Sequence, residues 1–210
     1  NVDLMVSLFG RAYIDVRNSI NSFLPEGLSD SIAEKVTNAY ISRLDKYPYL
    51  HDKIEFEVVH TAYDFDFDKN FEERYQSVLT KEELLEYKGL LRNITKKAID
   101  DSYNSSLNKA NRAIEKLKVL QDRKGDYEKN SFSIADRIST LIDECINFGT
   151  MPFSVIARHG FIAEGLLRSA ISNNVISVDR INEFKSSFNT VAGEMSDDFQ
   201  NVLNNSLSKE

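Results

Sequence analysis

The chain has 210 residues, 41% hydrophobic and 28% charged, with a formal net charge of -7. That length and mixture suit a globular fold with a sizeable core, as one domain or as two small lobes. The acidic balance, with no Lys/Arg run interleaved with aromatics, excludes a general nucleic-acid surface, which needs a basic patch to neutralise phosphates.

Residues 4–16, LMVSLFGRAYIDV, read as two short β-runs joined around Phe9-Gly10. Leu4, Val6 and Leu8 alternate on the first run; Ala12, Ile14 and Val16 alternate on the second. An abrupt start inside this strand-like run reads as a domain cut from a longer polypeptide. A short helix from Arg17 to Leu24 is expected to end at the turn signal Pro25-Glu26-Gly27. Ser29 then caps a helix carrying Ile32, Val36, Ala39, Tyr40 and Leu44 on one face, which stops before Pro48. The segment KIEFEVVHTAYDFDFD has the clearest strand pattern in the chain. Ile54, Phe56, Val58 and His60 fall on one face, and Glu55, Glu57 and Val59 on the other.

From Thr80 the periodicity becomes helical. Thr80 and Glu83 form a capping box, and Leu84, Tyr87, Leu91, Ile94 and Ala98 keep three-four spacing. The phase breaks between Asp100 and Ser106 and restarts with Leu107, Ala110, Ile114 and Leu117, as one irregular helix or two that meet. Lys124-Gly125-Asp126 marks a polar connection. Ile134, Ile138, Leu141 and Cys145 predict a helix ending at Gly149. Its stripe makes Cys145, the only cysteine, a reduced core thiol of an intracellular, cytoplasmic protein.

The next stretch, residues 150–174, reads as a central helix enclosed by neighbours on several sides, because it is apolar nearly all round. Thr150 serves as its N-cap, Pro152 sits in the first turn, and Asn173-Asn174 closes the far end. Gly160 and Gly165 imply close backbone approach. Arg158, His159, Glu164 and Arg168 interrupt the run too often for a membrane span. Ser177 and Ser196 start two last helices, the first with Ile181, Phe184, Phe188 and Val191 on its stripe, the second with Phe199, Val202 and Leu203. The fold class is therefore mainly α: a helical bundle with a small β-hairpin or strand element near the N-terminal third. The organisation is a single helical domain over 1–210, with a mixed α/β part at 1–70 and a helical part at 80–210.

Few motifs carry chemistry. Asp64, Asp66 and Asp68 invite a calcium loop, but Lys69 and Tyr75 stand where an EF-hand needs glycine and glutamate. His51, His60 and His159 lack metal-ligand spacing, so no metal site is expected. Arg158 and His159 place polar groups on an apolar helix, where each needs a partner or a ligand. Glu55 and Glu57 form either a carboxylate pair or a solvent-facing strand edge, and Arg17 either an exposed ion pair or a fork for an anion. No P-loop, GxGxxG or GxSxG is present, and no catalytic residue is assigned. Arg17, Asn21, Glu55, Glu57, Arg158 and His159 are the candidate substrate-binding residues, since they set polar groups on otherwise apolar elements.

Three segments taken together, LMVSLFGRAYIDVRNSINSFLPEGL, LHDKIEFEVVHTAYDFDF and FGTMPFSVIARHGFIAEGLLRS followed by NTVAGE, carry a resemblance. They resemble the middle region of phosphoenolpyruvate synthase-like proteins, the group containing pyruvate phosphate dikinase and rifampicin phosphotransferase. The resemblance implies a parent phosphotransferase in which an ATP-grasp domain uses ATP and Mg and a phosphohistidine domain swivels. Neither domain lies in this chain, so no cofactor is expected here and the fragment alone should be inactive. The resemblance implies a region that holds an unidentified small-molecule acceptor, or else a spacer docking the two catalytic domains. No nucleic acid or membrane partner is expected.

Overall fold

The computed structural model describes residues 4–121, 133–188 and 191–203. The Lys124-Gly125-Asp126 connection lies outside the described residues. Strands β1 (Met5–Leu8) and β2 (Arg11–Ile14) form the expected antiparallel hairpin, with Met5 opposite Ile14 and Leu8 opposite Arg11. Phe9 and Gly10 both take positive φ, 51° and 74°. That pair of values is the two-residue turn that matches strand twist, and glycine supplies the second without strain.

Helices follow: α1 (Val16–Asn21), α2 (Asp30–Lys46), α3 (Phe67–Tyr75), α4 (Lys81–Ala98) and α5 (Ser106–Gln121). After them come α6 (Ile134–Cys145), α7 (Met151–Ser172), α8 (Val178–Ser186) and α9 (Val191–Leu203). The chain is mainly helical with one small sheet near its N-terminal end. The Thr80–Glu83 capping box is formed in both directions, and the break near residue 100 separates two helices. Asn174 at φ 55° closes α7, with the Val175 N–H bonded to the Ala170 carbonyl, the six-to-one bond of a glycine-type helix stop. The chain divides into two compact units, Asn1–Leu166 and Leu167–Glu210.

Four expectations are corrected. Residues 54–68 form no strand: Ile54–Val58 is a single wide helical turn, an extended connection follows, and α3 begins at Phe67. Val58 to Ala62 is buried at every position, which alternation on a half-exposed sheet would not produce. Thr150 caps nothing, because the wide turn Ile146–Thr150 joins α6 to α7 without leaving helical geometry. Likewise Ser196 lies inside α9 rather than at its start, because α8 stops at Ser186 and Val191, expected on the stripe of α8, opens α9. Cys145 is exposed, since α6 buries none of its residues and its apolar stripe faces outward.

The core is not built around α7. Of α7 only Pro152, Ile162 and Ser169 are buried, and nothing lies close to Gly160. The largest fully enclosed side chains are Tyr40, Tyr87, Phe67, Ile20 and Leu91, contributed by α1, α2, α3 and α4. His60 lies among them, its ring 4.8 Å from Phe67, 5.7 Å from Phe71 and 5.9 Å from Tyr75. Its Nε2 is buried without a hydrogen-bond partner among the described residues. Burial lowers its pKa to about 3, helped by Arg74 and Arg43, so the imidazole is neutral.

Neutral His60 makes stability depend on acid. Between pH 6.5 and about 3 the unfolded chain binds a proton that the folded chain refuses. Acidification across that range therefore costs about 1.4 kcal/mol per pH unit. Asp64 works in the opposite sense, because burial raises its carboxyl from 3.8 to about 6 and the folded chain holds the extra proton between those values. Urea midpoints from pH 6.5 down to 4.5 should consequently fall more steeply for Asp64→Asn than for the parent chain. Equal slopes in the two proteins would show that the neutral histidine and the protonated aspartate do not oppose each other.

Candidate functional site

An open cleft of about 820 Å³ lies wholly within the first unit. One face of α4 contributes Leu90, Ile94 and Lys97, and the start of α5 contributes Ser106. Phe23 and Glu26 come from the chain just after α1. A stripe of α7 from Met151 to Ile162 closes the other side. The same apolar residues of α7 that read as enclosed in the sequence thus line a cleft, and Met151 and Phe153 remain mostly exposed there. A concave surface of this size, with apolar walls and polar groups among them, has the dimensions of a small-molecule site.

Two of the six candidate residues meet in the cleft, and they do different work. Arg158 donates from Nη1 to the Ser22 carbonyl at 3.2 Å and from Nη2 to the Phe23 carbonyl at 2.7 Å. Its guanidinium stands 5.1 Å from the centre of the Phe23 ring. These carbonyls leave the end of α1, where a cation is favoured by the helix dipole and by unpaired acceptors. Burial lowers the Arg158 pKa, with Tyr87 and Tyr40 opposing the shift. Arg158 is therefore mainly a clamp that fixes Phe23 as a wall of the cleft. Phe161 extends that wall, 6.3 Å from Phe23 and edge-on to Phe56 at 5.9 Å.

His159 faces the cleft with capacity to spare. Its Nε2 stands 2.9 Å from the Ser106 Oγ across 53 residues of sequence. Ser106 opens α5, placed there by the corner that separates α4 from α5.

The other four candidates lie elsewhere. Arg17 donates to Asn38 Oδ1 at 2.9 Å, and Asn21 Oδ1 accepts from the Thr37 hydroxyl at 2.8 Å, so both stitch α1 to α2. Glu57 pairs with Arg74 at 3.2 Å. Glu55 sits on the same wide turn, but residues two apart in a helical turn do not face each other, so no carboxylate pair forms. Among the described residues no group of His, Cys, Asp or Glu could hold a metal ion. Asp64 instead accepts from the Asp66 N–H at 3.0 Å, and Asp68 pairs with Lys88.

Sequence reasoning missed Phe23, Lys97 and Ser106. Only the α4 residues left a trace: Leu90 with Ile94, and Asn93 with Lys97, repeat every four residues on one helix face. No protein-family model, curated protein or solved structure matches the chain. No helix among the described residues is long and apolar enough to cross a membrane.

Replacing Arg158 by leucine should cost about 1–3 kcal/mol of stability, because two carbonyls lose their donors. Arg158→Lys should recover only part, since an ammonium cannot span both acceptors with a planar fork. Urea unfolding of the two variants measures this, and an unchanged midpoint for Arg158→Leu would show that the clamp holds nothing.

Proposed function

We propose that this chain is a ligand-holding helical module, without catalytic activity of its own, whose cleft accepts a mostly apolar small molecule. In the phosphoenolpyruvate synthase-like reading, that molecule is the acceptor of a parent phosphotransferase. The ATP-grasp and phosphohistidine domains of the same parent would then supply ATP, Mg and the transferable phosphate. The cleft itself carries the proposal: it is concave, and aromatic and aliphatic residues alternate in its walls with polar ones, among them Arg158, His159 and Ser106. The residue types support binding rather than chemistry, since the cleft contains neither a phosphate-cradling glycine loop nor a carboxylate pair.

A spacer that docks the two catalytic domains is the second reading, and the hairpin favours it. Every residue of β1 and β2 is exposed, and Phe9 at the turn is fully so. Exposed apolar groups gathered on one projection are what a docking contact would use.

Thermal unfolding of the chain against sugars, nucleotides, phosphoenolpyruvate and polyketide-like compounds separates the readings. Apolar compounds should stabilise it, by about 2.7 kcal/mol at a hundred times the dissociation constant. Val155 lines the cleft and is 36% exposed, so Val155→Trp should obstruct the site and abolish that stabilisation while leaving the fold intact. A chain that no compound stabilises leaves the spacer.

A further inference from the structure

We infer that the ligand of the cleft carries one negative charge, a carboxylate on an apolar body, held by the Arg158 guanidinium with the Lys97 ammonium adding to the attraction. The inference rests on the ligand-holding reading and adds the chemical class of the ligand.

Its basis is a cation left without a counterion. Arg158 is half-buried, and among the described residues no carboxylate pairs with it. The Ser22 and Phe23 carbonyls and the Phe23 ring attract the guanidinium, but none of them carries a charge. A guanidinium has five N–H donors, and the two carbonyls take one from each terminal nitrogen. A second N–H remains on each, and Nε is buried without a partner. A cation drawn out of water calls for an opposite charge beside it, and a carboxylate also accepts the strongest hydrogen bonds that a guanidinium makes. Because the carbonyls already hold the guanidinium in place, little further ordering is needed when an anion arrives.

The rest of the lining has the same sign. Lys97 of α4 is a second cation, exposed and without an ion pair among the described residues. Glu26 is the one carboxylate among the described lining residues, so the two cations exceed it by a single charge. One negative charge balances that excess. The cleft differs in this from the chain as a whole, whose net charge of -7 repels anions. Asn93, Ser106 and His159 also line it, and each has a donor to add to the hold on a carboxylate. Ser154 offers acceptor capacity only, since its hydroxyl donates to the Thr150 carbonyl. Phe23 and Phe161 take the apolar body.

An isosteric pair tests this: 2-naphthoate and 2-naphthamide binding to the whole chain at neutral pH, by equilibrium dialysis. 2-Naphthoate should bind about tenfold tighter, the size of one hydrogen bond between charged groups. Lys97→Gln should lower that ratio about threefold, as loss of an exposed charge does. Lys97 is exposed and unpaired, so this substitution leaves the fold intact. Arg158→Leu should bring the ratio near unity; if that variant does not fold, Lys97→Gln decides alone. 2-Naphthamide binding as tightly as 2-naphthoate overturns the inference, as does an unchanged ratio in Lys97→Gln. In those cases binding that Val155→Trp still blocks leaves the ligand-holding reading standing. Binding that Val155→Trp does not affect, or no binding at all, removes both.

Discussion

Everything in the first unit depends on how one buried, irregular piece of backbone is satisfied. Between Phe56 and Tyr63 the chain runs through the core without a neighbouring strand or a regular helix to take its hydrogen bonds. Buried N–H and C=O groups left unpaired would cost about 1–3 kcal/mol each. Side chains take the place of the ladder. Arg74 donates to the Phe56 carbonyl at 3.0 Å and Arg43 to the Glu57 carbonyl at 2.7 Å. The Tyr75 hydroxyl donates to the Val58 carbonyl. The His60 N–H reaches the Tyr40 hydroxyl at 3.2 Å, and the Tyr63 N–H reaches Thr95 Oγ1 at 2.9 Å. Five side chains from α2, α3 and α4 thus converge on one segment, and the three helices are located by it.

The same segment sets the position of the cleft. On its inner side it is held by the tyrosines, of which Tyr40 also shares a 2.7 Å hydroxyl contact with Tyr87 of α4. On its outer side Phe56 meets Phe161 edge-on, and the Asp64 carboxylate lies 3.9 Å from where a side chain on Gly165 would begin. That is ordinary van der Waals distance, so close approach requires glycine neither at 165 nor at 160, where nothing lies within reach. α7 is therefore laid against the outside of the core rather than inserted into it. Its second flank stays open and becomes a wall of the cleft.

What the sequence made legible follows from how local each signal is. The hairpin, the Thr80 capping box, the Ser177 cap and the Asn174 stop are settled within a few residues, and all appear as read. The strand at 54–68 fails because its alternation had no partner to pair with. The polar side chains there find separate partners instead: Glu57 pairs with Arg74, Asp64 accepts from the Asp66 N–H, and Asp68 pairs with Lys88. α7 misleads for a related reason. A helix apolar all round is normally enclosed, but a cleft wall uses the same residues. Arg158 and His159 stood out because charge and imidazole on an apolar helix require partners. Ser106 and Phe23 could not stand out, since nothing about them is unusual until the fold brings them beside α7.

The adjacency of Arg158 and His159 explains how one helix serves both fold and cleft. Neighbours on a helix point about 100° apart, so one can turn toward the core while the other turns toward the opening. Arg158 takes the inward direction, where burial makes each hydrogen bond to a carbonyl strong and an unmade one costly. Once both terminal nitrogens are committed, the cation has no freedom to follow a ligand. His159 takes the outward direction with an exposed serine as its partner, a bond that water or a guest replaces at small cost. Rigidity beside adaptability is what a binding wall requires: Phe23 must stay where the clamp holds it, so that whatever reaches His159 finds the same surface each time.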